Sequence, residues 1–402
     1  MKILWVKSDF LHPTTRGGQI RTLEMLRRLH RRNEIHYVAF EDSLIPEGVR
    51  RSPEYSTRSY PVPLHLVPKR SPRFALQLAE GLFSRLPVPL ARYRSAAMRA
   101  TIADLVSRRH FDAKVCDFLL PSVNIGQMSD WVLFQHNVET NIWERHAQTG
   151  RTPVHRAYFR MQARKMFAWE RSVCREAAHV IAVSDVDERT MRRRFGLDRI
   201  ASIPTGVDLE YFAPPAASTR EYDLVFVGSM DWMPNIEGIR WFFAEVLPLI
   251  RSRKPDCRVA IVGRTPPPSI IAEAKDPLVT VTGTVPDVRP YLWQSAVAIV
   301  PLHVGGGTRL KIFEAVAAGN AVVSTTIGAE GLPLLHEETI RIADSPAAFA
   351  ADCIDLLENE KLRSAQAVRA LDLVRAKFSW EQVARQFETA LEQSAARAPQ
   401  RA

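Results

Sequence analysis

Short apolar runs alternate with helix-like segments along most of the 402-residue chain. In the first half, the strand-like runs are KILWVKS, EIHYVAF, AKVCDFL, WVLFQH and AHVIAVS, and stretches with helical spacing such as GGQIRTLEMLRRLHR follow them. Strands of a parallel sheet that helices cover on both faces are apolar nearly throughout, whereas strands with one wet face alternate. The pattern therefore predicts parallel sheets with helices on both sides.

The alternation begins again near residue 220, after the stretch IPTGVDLEYFAPPAASTRE, whose prolines and small residues are typical of a linker. The later strand-like runs are YDLVFVGSM, RVAIVG, VTVTGTV, AVAIVPL, AVVSTT and IRIAD. We predict two doubly wound α/β domains, residues 1–205 and 206–377, followed by a C-terminal helix and tail over 378–402. The end of that tail, SAARAPQRA, is expected to be disordered.

The segment 61–100 breaks the pattern, because it mixes apolar residues with arginines and contains few acids. We interpret it as an insertion in the first domain. A basic amphipathic stretch of this kind can lie on a membrane surface. A pair of ordinary helices packed on the domain is an equally good interpretation.

Charge is distributed unevenly along the chain, whose net charge is +10. Residues 1–200 contain 34 Lys and Arg against 20 Asp and Glu, whereas residues 201–402 contain 20 against 24. The basic half is consistent with an anionic membrane surface or an anionic substrate as a partner. The alternative is a generally Arg-rich protein without such a partner. No helix-turn-helix, zinc or RNA-binding motif is found, so nucleic acid is not predicted as a partner.

Compartment and anchoring follow from what the sequence lacks. It has no run of about 18 apolar residues, and MKILWVKSDF does not resemble a signal peptide. Its four cysteines lie far apart and form neither a metal pattern nor a disulfide framework. We expect a cytoplasmic protein, with peripheral attachment to the inner membrane face as the further hypothesis.

The segment HVGGGTRLKIFEAVAAGNAVVST, residues 303–325, predicts an anion site. Gly305, Gly306 and Gly307 precede a helix that is expected to start near Thr308, and glycines let phosphate oxygens approach backbone N–H groups closely. Arg309 and Lys311 then occupy the first turn of the helix. Cations at that end cost about 0.3–1 kcal/mol each, unless an anion sits between them. The motif is neither a P-loop nor a dinucleotide fingerprint.

Two acidic motifs have competing interpretations. Glu314 lies about 9 Å beyond Thr308 along the axis of the predicted helix. At that distance its carboxylate suits the hydroxyls of a ribose beside a diphosphate. A simple i,i+3 pair with Lys311 is the alternative. The motif DVD at 185–187 follows Ser184 at a predicted helix start, where acids favour the helix dipole. We therefore predict no metal site there.

The segment GGGTRLKIFEAVAAGNAVVST resembles the donor-binding segment of retaining glycosyltransferases of the GT-B type, family 4 (glycosyl transferases group 1). Matching motifs follow one another in family order over nearly the whole chain: TRGGQIRTLEML, VIAVSDVDERTM, IPTGVDLEYF, VFVGSMDWMPNIEGIRWF, VAIVGR, VTGTVPDVRPYL and FSWEQVARQFETAL. The resemblance implies the GT-B architecture, two Rossmann-like domains that face a central cleft. It also implies an acceptor site in the first domain, a nucleotide-sugar site in the second, and a last helix that crosses back to the first.

The resemblance also implies roles for single residues. For the donor, it implies contacts from Gly17, Gly18, Val285, Gly305, Gly306, Gly307, Thr308 and Glu314. The first two glycines would leave room for the phosphates, Val285 would meet the base through its backbone, and Glu314 would hold the ribose. His136 matches a histidine near the transferred sugar, and it follows the strand-like run WVLFQ, where sites form. A purely structural histidine is the alternative.

Two departures from the family pattern matter. Members often have two glutamates eight positions apart, but the first position here is Gly306, which leaves the donor sugar open. Many also have an Arg and a Lys after the first strand of the second domain, where this chain has GSMDWMPN. We expect Arg309 and Lys311 to supply that charge and to act in catalysis.

These inferences predict a metal-independent hexosyltransferase that needs no cofactor besides its nucleotide-diphosphate-sugar donor. The acceptor would be a sugar or a lipid-linked sugar in surface polysaccharide or glycolipid synthesis. A nucleotide-sugar epimerase of the same fold is one alternative, although no clear set of acid and base carboxylates is present. A non-catalytic nucleotide-sugar-binding or scaffold protein is another: the missing glutamate favours it, and His136 with Glu314 argues against it.

Overall fold

The computed structural model describes residues 1–14, 17–64, 66–68, 71–149, 152–216, 219–304 and 310–397. Contacts divide the chain into two units. The first unit comprises Met1–Pro204 together with Val383–Ala402, and the second comprises Thr205–Gln382. The predicted boundary after residue 205 lies one residue later than this one, and the predicted separate segment 378–402 divides between the two units at residue 383.

The described part of the first unit contains one sheet of seven strands: β1 (Lys2–Val6), β2 (Glu34–Glu41), β3 (Arg58–Pro63), β4 (Ala113–Asp117), β5 (Val132–Phe134), β6 (His179–Ala182) and β7 (Ile200–Ser202). Their order is β3-β2-β1-β4-β5-β6-β7, and all neighbours are parallel. The helices are α1 (Gly17–Leu29), α2 (Glu47–Arg50), α3 (Pro72–Phe83), α4 (Val88–Ala91), α5 (Ala96–Arg108), α6 (Glu139–Thr149), α7 (Pro153–Glu176) and α8 (Asp185–Phe195). Short 3₁₀ turns occupy Ser52–Glu54 and Leu120–Asn124.

The second unit contains, in its described part, a six-stranded sheet: β8 (Tyr222–Val227), β9 (Val259–Val262), β10 (Val279–Val281), β11 (Ser295–Val300), β12 (Ala321–Ser324) and β13 (Arg341–Ile342). Their order is β10-β9-β8-β11-β12-β13, again with parallel neighbours. The helices are α9 (Leu209–Phe212), α10 (Met233–Trp241), α11 (Leu247–Arg253), α12 (Pro268–Ile271), α13 (Arg289–Trp293), α14 (Leu310–Ala317), α15 (Pro346–Glu358) and α16 (Glu360–Phe378). A π-helical turn at Phe242–Val246 and a 3₁₀ turn at Ala272–Lys275 complete it.

The last helix, α17 (Trp380–Arg397), begins in the second unit and belongs to the first from Val383 onward. There the fully buried ring of Phe387 lies 5.5 Å from Trp5 and 5.0 Å from Phe134, measured between ring centroids. The expectation of disorder from residue 394 is wrong as far as Arg397, because the alanines there are strong helix formers. Residues 398–402 lie outside the described residues.

The apolar runs predicted as buried strands are buried. In β1, residues 3–6 are completely inaccessible, and all six residues of β11 are buried. Two strands were missed. β7 is only three residues long, too short to show a pattern. β3 lies at the sheet edge, where Pro61 and Pro63 are tolerated because an edge strand can leave backbone positions unpaired.

The segment 61–100 is therefore not wholly an insertion, since residues 61–63 finish β3. Farther along, α4 and α5 bury Leu90 and Met98 in the core, as ordinary packed helices do. α3 differs, because Leu76, Leu82 and Phe83 are exposed on it. The interpretation as ordinary packed helices is thus confirmed for α4 and α5, and the membrane-surface interpretation stays a prediction for α3.

Both sheets change winding direction beside their first strand, between β1 and β4 and between β8 and β11. Doubly wound folds bind ligands at such points, beyond the carboxyl ends of the strands. Each unit therefore offers one place where a site is expected. Among the described helices, none is both long and apolar enough to span a bilayer.

Candidate functional site

A buried polar cluster lies where the first sheet changes direction. Lys7 directly follows β1, Asp117 is the last residue of β4, and His136 comes two residues after β5. Asp117 is completely buried, and the His136 side chain is 9% exposed. Because parallel strands present their carboxyl ends at one sheet edge, three separate chain segments meet here.

The Asp117 carboxylate accepts two hydrogen bonds at each oxygen. Its Oδ1 lies 2.7 Å from His136 Nε2 and 3.0 Å from Lys7 Nζ. Its Oδ2 accepts from Trp5 Nε1 at 2.9 Å and from Thr22 Oγ1 on α1 at 2.7 Å. The carboxylate therefore fixes the imidazole against the sheet.

These contacts determine the charges in the cluster. Burial alone would raise the pKa of Asp117, but Lys7 and His136 hold that pKa well below its usual range. Burial lowers the pKa of His136 to about 4; Asp117 opposes this change, while Lys7 and Arg21 add to it. The imidazole is therefore neutral at pH 7. Since Nε2 donates to Asp117, Nδ1 is a hydrogen-bond acceptor.

The accepting nitrogen faces the start of α1. A Cβ built on Gly18 would lie 3.2 Å from His136 Nδ1, whereas one on Gly17 would meet nothing within 4 Å. Both residues lie in the first turn of α1. Glycine at position 18 is thus explained by the closeness of the imidazole, and the structure brings together two residues that the sequence could only suggest separately.

Two carboxylates lie next to the His136 segment, Glu170 fully buried and Glu139 half-buried. Glu170, in the middle of α7, accepts from the backbone N–H groups of Glu139 at 2.9 Å and Thr140 at 2.8 Å, and from Thr140 Oγ1 at 2.5 Å. It also accepts from Gln135 Nε2 at 3.1 Å. Burial raises the pKa of Glu170 to about 7 and that of Glu139 to about 8. Glu170 therefore ties the residues on both sides of His136 to α7.

The second site lies where the second sheet changes direction. Lys311 on α14 donates from Nζ to Asn235 Oδ1 at 2.7 Å, and its Nζ lies 4.3 Å from the centroid of the Phe226 ring in β8. A Cβ on Gly228, which follows β8, would come within 2.7 Å of that Nζ. The segment GSMDWMPN at the end of β8 contains no Lys or Arg. Lys311 of α14 places a cation there instead.

The other predicted donor residues are placed as follows. Glu314 lies on α14 one turn after Lys311, where burial raises its pKa and Lys311 opposes the rise. Val285, partly buried, lies in the loop after β10, at the same sheet edge but two strands from β8. Gly305, Gly306, Gly307, Thr308 and Arg309 lie outside the described residues.

The DVD motif is a helix start, as predicted. Ser184 precedes α8, and its hydroxyl accepts from the N–H of Asp187 at 3.1 Å. Asp185 accepts a hydrogen bond from Ser202. Both acids thus have roles within the fold.

The sequence missed several residues of these clusters: Trp5, Lys7, Thr22 and Asp117 in the first unit, and Gly228 and Asn235 in the second. Asp117 and Lys7 had a usable signal, because each is a charged residue directly at the end of an apolar strand. Asn235 had none, since its contact with Lys311 bridges 76 residues.

Comparison with known families decides the identity of the chain. Residues 221–359 match the family described as Glycosyl transferases group 1, and residues 131–211 match Glycosyltransferase Family 4. The matches include His136, Asn235, Lys311 and Glu314. The chain belongs to the group 1, family 4 glycosyltransferases.

Solved structures resemble this family 4 chain over nearly its full length. Sucrose-phosphate synthase from Thermosynechococcus elongatus has a TM-score of 0.70 at 18% identity, over 98% of this chain and 99% of that one. HepE from Anabaena, solved in complex with UDP and glucose, has a TM-score of 0.63 at 12% identity, over 98% and 100%. These likenesses confirm the predicted GT-B class of two Rossmann-like α/β domains.

A curated relative is also similar to part of this glycosyltransferase family member. An uncharacterized 44.6 kDa protein in the cps region of Klebsiella pneumoniae is 26% identical over 170 residues. The match spans 40% of this chain and 44% of the relative. The chain therefore spans less than half the length of the curated relative that it matches.

Proposed function

We propose that the protein transfers a hexose, with retention of anomeric configuration and without a metal ion, from a nucleotide-diphosphate sugar to an acceptor hydroxyl. The observation that carries this proposal is the position of Lys311, which Asn235 holds beside Gly228 where the second sheet changes direction, with Glu314 one turn farther along α14. The complex of Anabaena HepE with UDP and glucose supports a donor of this kind.

Each donor group has a proposed partner. The positive charge of Lys311, held by Asn235, stabilises the diphosphate, as does Arg309, and the amides of the loop 305–308 add N–H donors. Glu314 accepts hydrogen bonds from the ribose hydroxyls, and the backbone at Val285 contacts the base. No cofactor is required besides the donor itself.

The reaction needs little acid–base help from the protein. The bond between the anomeric carbon and the diphosphate oxygen breaks, and the oxygen of the acceptor hydroxyl bonds to that carbon. The acceptor proton passes to the leaving phosphate oxygen, so atoms and charges balance. Lys311 and Arg309 stabilise the negative charge that develops on the diphosphate. Nδ1 of His136 accepts a hydrogen bond from a hydroxyl of the transferred sugar, beside Gly18.

The acceptor and its setting form the less constrained part of the proposal. A relative encoded in a cps region favours a sugar or lipid-linked acceptor in surface polysaccharide or glycolipid synthesis. The excess of cations in residues 1–200 favours peripheral attachment to the anionic, cytoplasmic face of a membrane.

A thermal-shift panel tests the donor site, with UDP, GDP, ADP, CDP and dTDP in the absence of metal. A ligand that binds only the folded state adds about 2.7 kcal/mol at a hundredfold excess over its Kd. We expect one diphosphate to stabilise the protein. Glu314→Ala should abolish this shift, and Glu245→Ala, which removes an exposed glutamate of the same unit, should keep it.

A panel without any shift would contradict the transferase proposal. It would favour instead the non-catalytic scaffold, which the glycine at position 306 already supports to a small extent. Turnover of the donor in the presence of a sugar acceptor would exclude the scaffold.

A further inference from the structure

One face of α7 carries a stripe of arginines. Five exposed residues form it: Arg156, Arg160, Arg164, Arg171 and Arg175. At 100° per residue their directions fall within an arc of about 100°, and at 1.5 Å per residue they extend over about 28 Å. We call this set the α7 arginine face.

These arginines have no side-chain hydrogen bond and no ion pair within the part of the chain that the structure describes. The arginines of the neighbouring helix α8 do form ion pairs: Arg192 pairs with Glu188 and Arg194 pairs with Glu144. The acids of α7 itself do not compensate the face: Glu170 is buried, and Glu176 accepts from a backbone N–H at Met128. Five like charges thus stand on one surface, which is the arrangement that an anionic partner would neutralise.

Apolar side chains are exposed on α3, the helix that Lys165 joins to α7. Lys165 donates from Nζ to the carbonyl oxygens of Gly81 at 2.7 Å and Leu82 at 3.0 Å, and so joins the C-terminal end of α3 to the middle of α7. At that end Phe83 is 91% exposed and Leu82 is 49% exposed. Leu76 is 59% exposed on the same helix. A large aromatic side chain left in water, on a helix bonded to the one that carries the arginines, favours contact with an apolar medium.

We propose that the α7 arginine face and the exposed end of α3 together dock the protein on an anionic phospholipid bilayer. The arginines bind the lipid headgroups, and Phe83 and Leu82 enter the boundary between headgroups and acyl chains. A nucleic acid or a soluble polyanion would need the charges alone and would leave those side chains in water. The inference rests on the membrane attachment named in the proposed function and assigns the surface that makes it.

Vesicle flotation tests the proposal with the full chain. We expect binding to vesicles of phosphatidylcholine with 30% phosphatidylglycerol to be at least tenfold tighter than to phosphatidylcholine alone, and to weaken as NaCl rises from 50 to 300 mM. The triple variant Arg160→Glu, Arg164→Glu, Arg171→Glu should lose at least tenfold in binding. Phe83→Ser should lose several-fold and keep the salt dependence of the wild type.

The matched control places the same charge change on exposed residues of the second unit, Arg258→Glu, Lys275→Glu, Lys361→Glu. It should bind vesicles as the wild type does. Equal binding of the α7 variant and this control would overturn the proposal. So would a wild-type protein that ignores phosphatidylglycerol but binds duplex DNA through the same arginines, because the surface would then serve nucleic acid.

Failure of this surface can be told apart from failure of the donor site. The stabilisation by a nucleoside diphosphate needs no vesicles and reports on the second unit. It should be unchanged in the α7 variant, and this also shows that the variant is folded. Loss of vesicle binding with an intact diphosphate response therefore concerns the docking surface alone.

Discussion

At the scale of single residues, one buried carboxylate organises the first unit. Asp117 satisfies both oxygens with four donors, and Lys7 neutralises its charge, so that the cost of burying it is offset. The cluster leaves His136 uncharged with a defined tautomer. A histidine held in this way can accept a hydrogen bond reproducibly but is a poor proton donor, which agrees with a reaction that needs no strong protein acid.

Gly18→Ala should impair the proposed transfer with little loss of stability. Its Cβ would lie 3.2 Å from His136 Nδ1 and would cover the accepting nitrogen, while alanine suits a helix. We expect kcat/KM to fall at least tenfold, which corresponds to about 1.4 kcal/mol in the transition state. Steady-state kinetics and thermal unfolding together measure this.

Gly17→Ala is the matched comparison, since its Cβ meets nothing within 4 Å. If both glycines act only by leaving room for phosphates, the two variants should lose activity equally. An equal loss would therefore contradict the assigned contact between Gly18 and the imidazole.

The site could be predicted from sequence only in part. His136 and Glu314 stood out because each lies beyond an apolar strand or in a helix after a glycine loop, as the family motif has it. The meeting of His136 with Trp5, Lys7, Thr22 and Asp117 could not be predicted, because which strand ends meet depends on the strand order in the sheet. That order is set by packing between segments far apart in sequence, such as those of Trp5 and Asp117, which are 112 residues apart.

At the scale of secondary structure elements, the hairpin of α6 and α7 contains two carboxyl groups with raised pKa values. Glu170 is fully buried and Glu139, half-buried, lies close to it; loss of hydration raises their pKa values to about 7 and about 8. The ordinary pKa of a glutamate is 4.5, so the folded state favours the protonated form of both carboxyl groups. Their contribution to the free energy of unfolding is complete below pH 4.5 and is lost as pH rises through 7 and 8.

Glu139→Gln should remove much of this pH dependence. The amide keeps the size of the side chain but does not ionise, so we expect a gain of about 1–3 kcal/mol in unfolding free energy at pH 8 and little change at pH 5. Urea unfolding at the two pH values measures it. Glu144→Gln on the same helix is the control, because Arg194 lowers the pKa of Glu144. An alkaline gain in both variants would refute the assignment to Glu139.

Most of the strands could be predicted because they are buried on both faces and therefore show as apolar runs in the sequence. The prediction failed where burial is incomplete. β3 is half-exposed and contains two prolines, β7 pairs over only three residues, and α17 continues through an alanine-rich stretch that looked like a tail. In each case a sheet edge or a contact with a distant part of the chain determines whether the strand or helix forms. The local sequence pattern does not show that contact.

At the scale of the whole molecule, one unit is built from two separate parts of the chain and the other from a single part. The first unit is completed by residues from the far end of the sequence, since Phe387 fills its aromatic core between Trp5 and Phe134. The second unit is continuous. Loss of the C-terminal residues should therefore damage the N-terminal unit more than the unit that precedes them in sequence.

Phe387→Ala should destabilise the first unit selectively. Truncation of a buried phenylalanine costs about 3–5 kcal/mol, and hydrogen exchange should accelerate in β1 and β5 while β8 and β11 stay protected. Phe349→Ala, equally buried in the second unit, should give the reverse pattern. Uniform acceleration across both units in either variant would show that they unfold as one.

The position of α17 also sets an order of events during synthesis. Roughly 180 residues separate Pro204 from Val383, so a ribosome adding about 5–20 residues per second takes about 10–40 s between them. Throughout that interval the nascent first unit lacks the ring that closes its core, while the ribosome makes the second unit. The N-terminal half, although made first, therefore cannot complete its core before Phe387 has been added. It is the part that cellular chaperones and proteases meet unfinished, and premature termination near the 3′ end of the message would leave it so permanently.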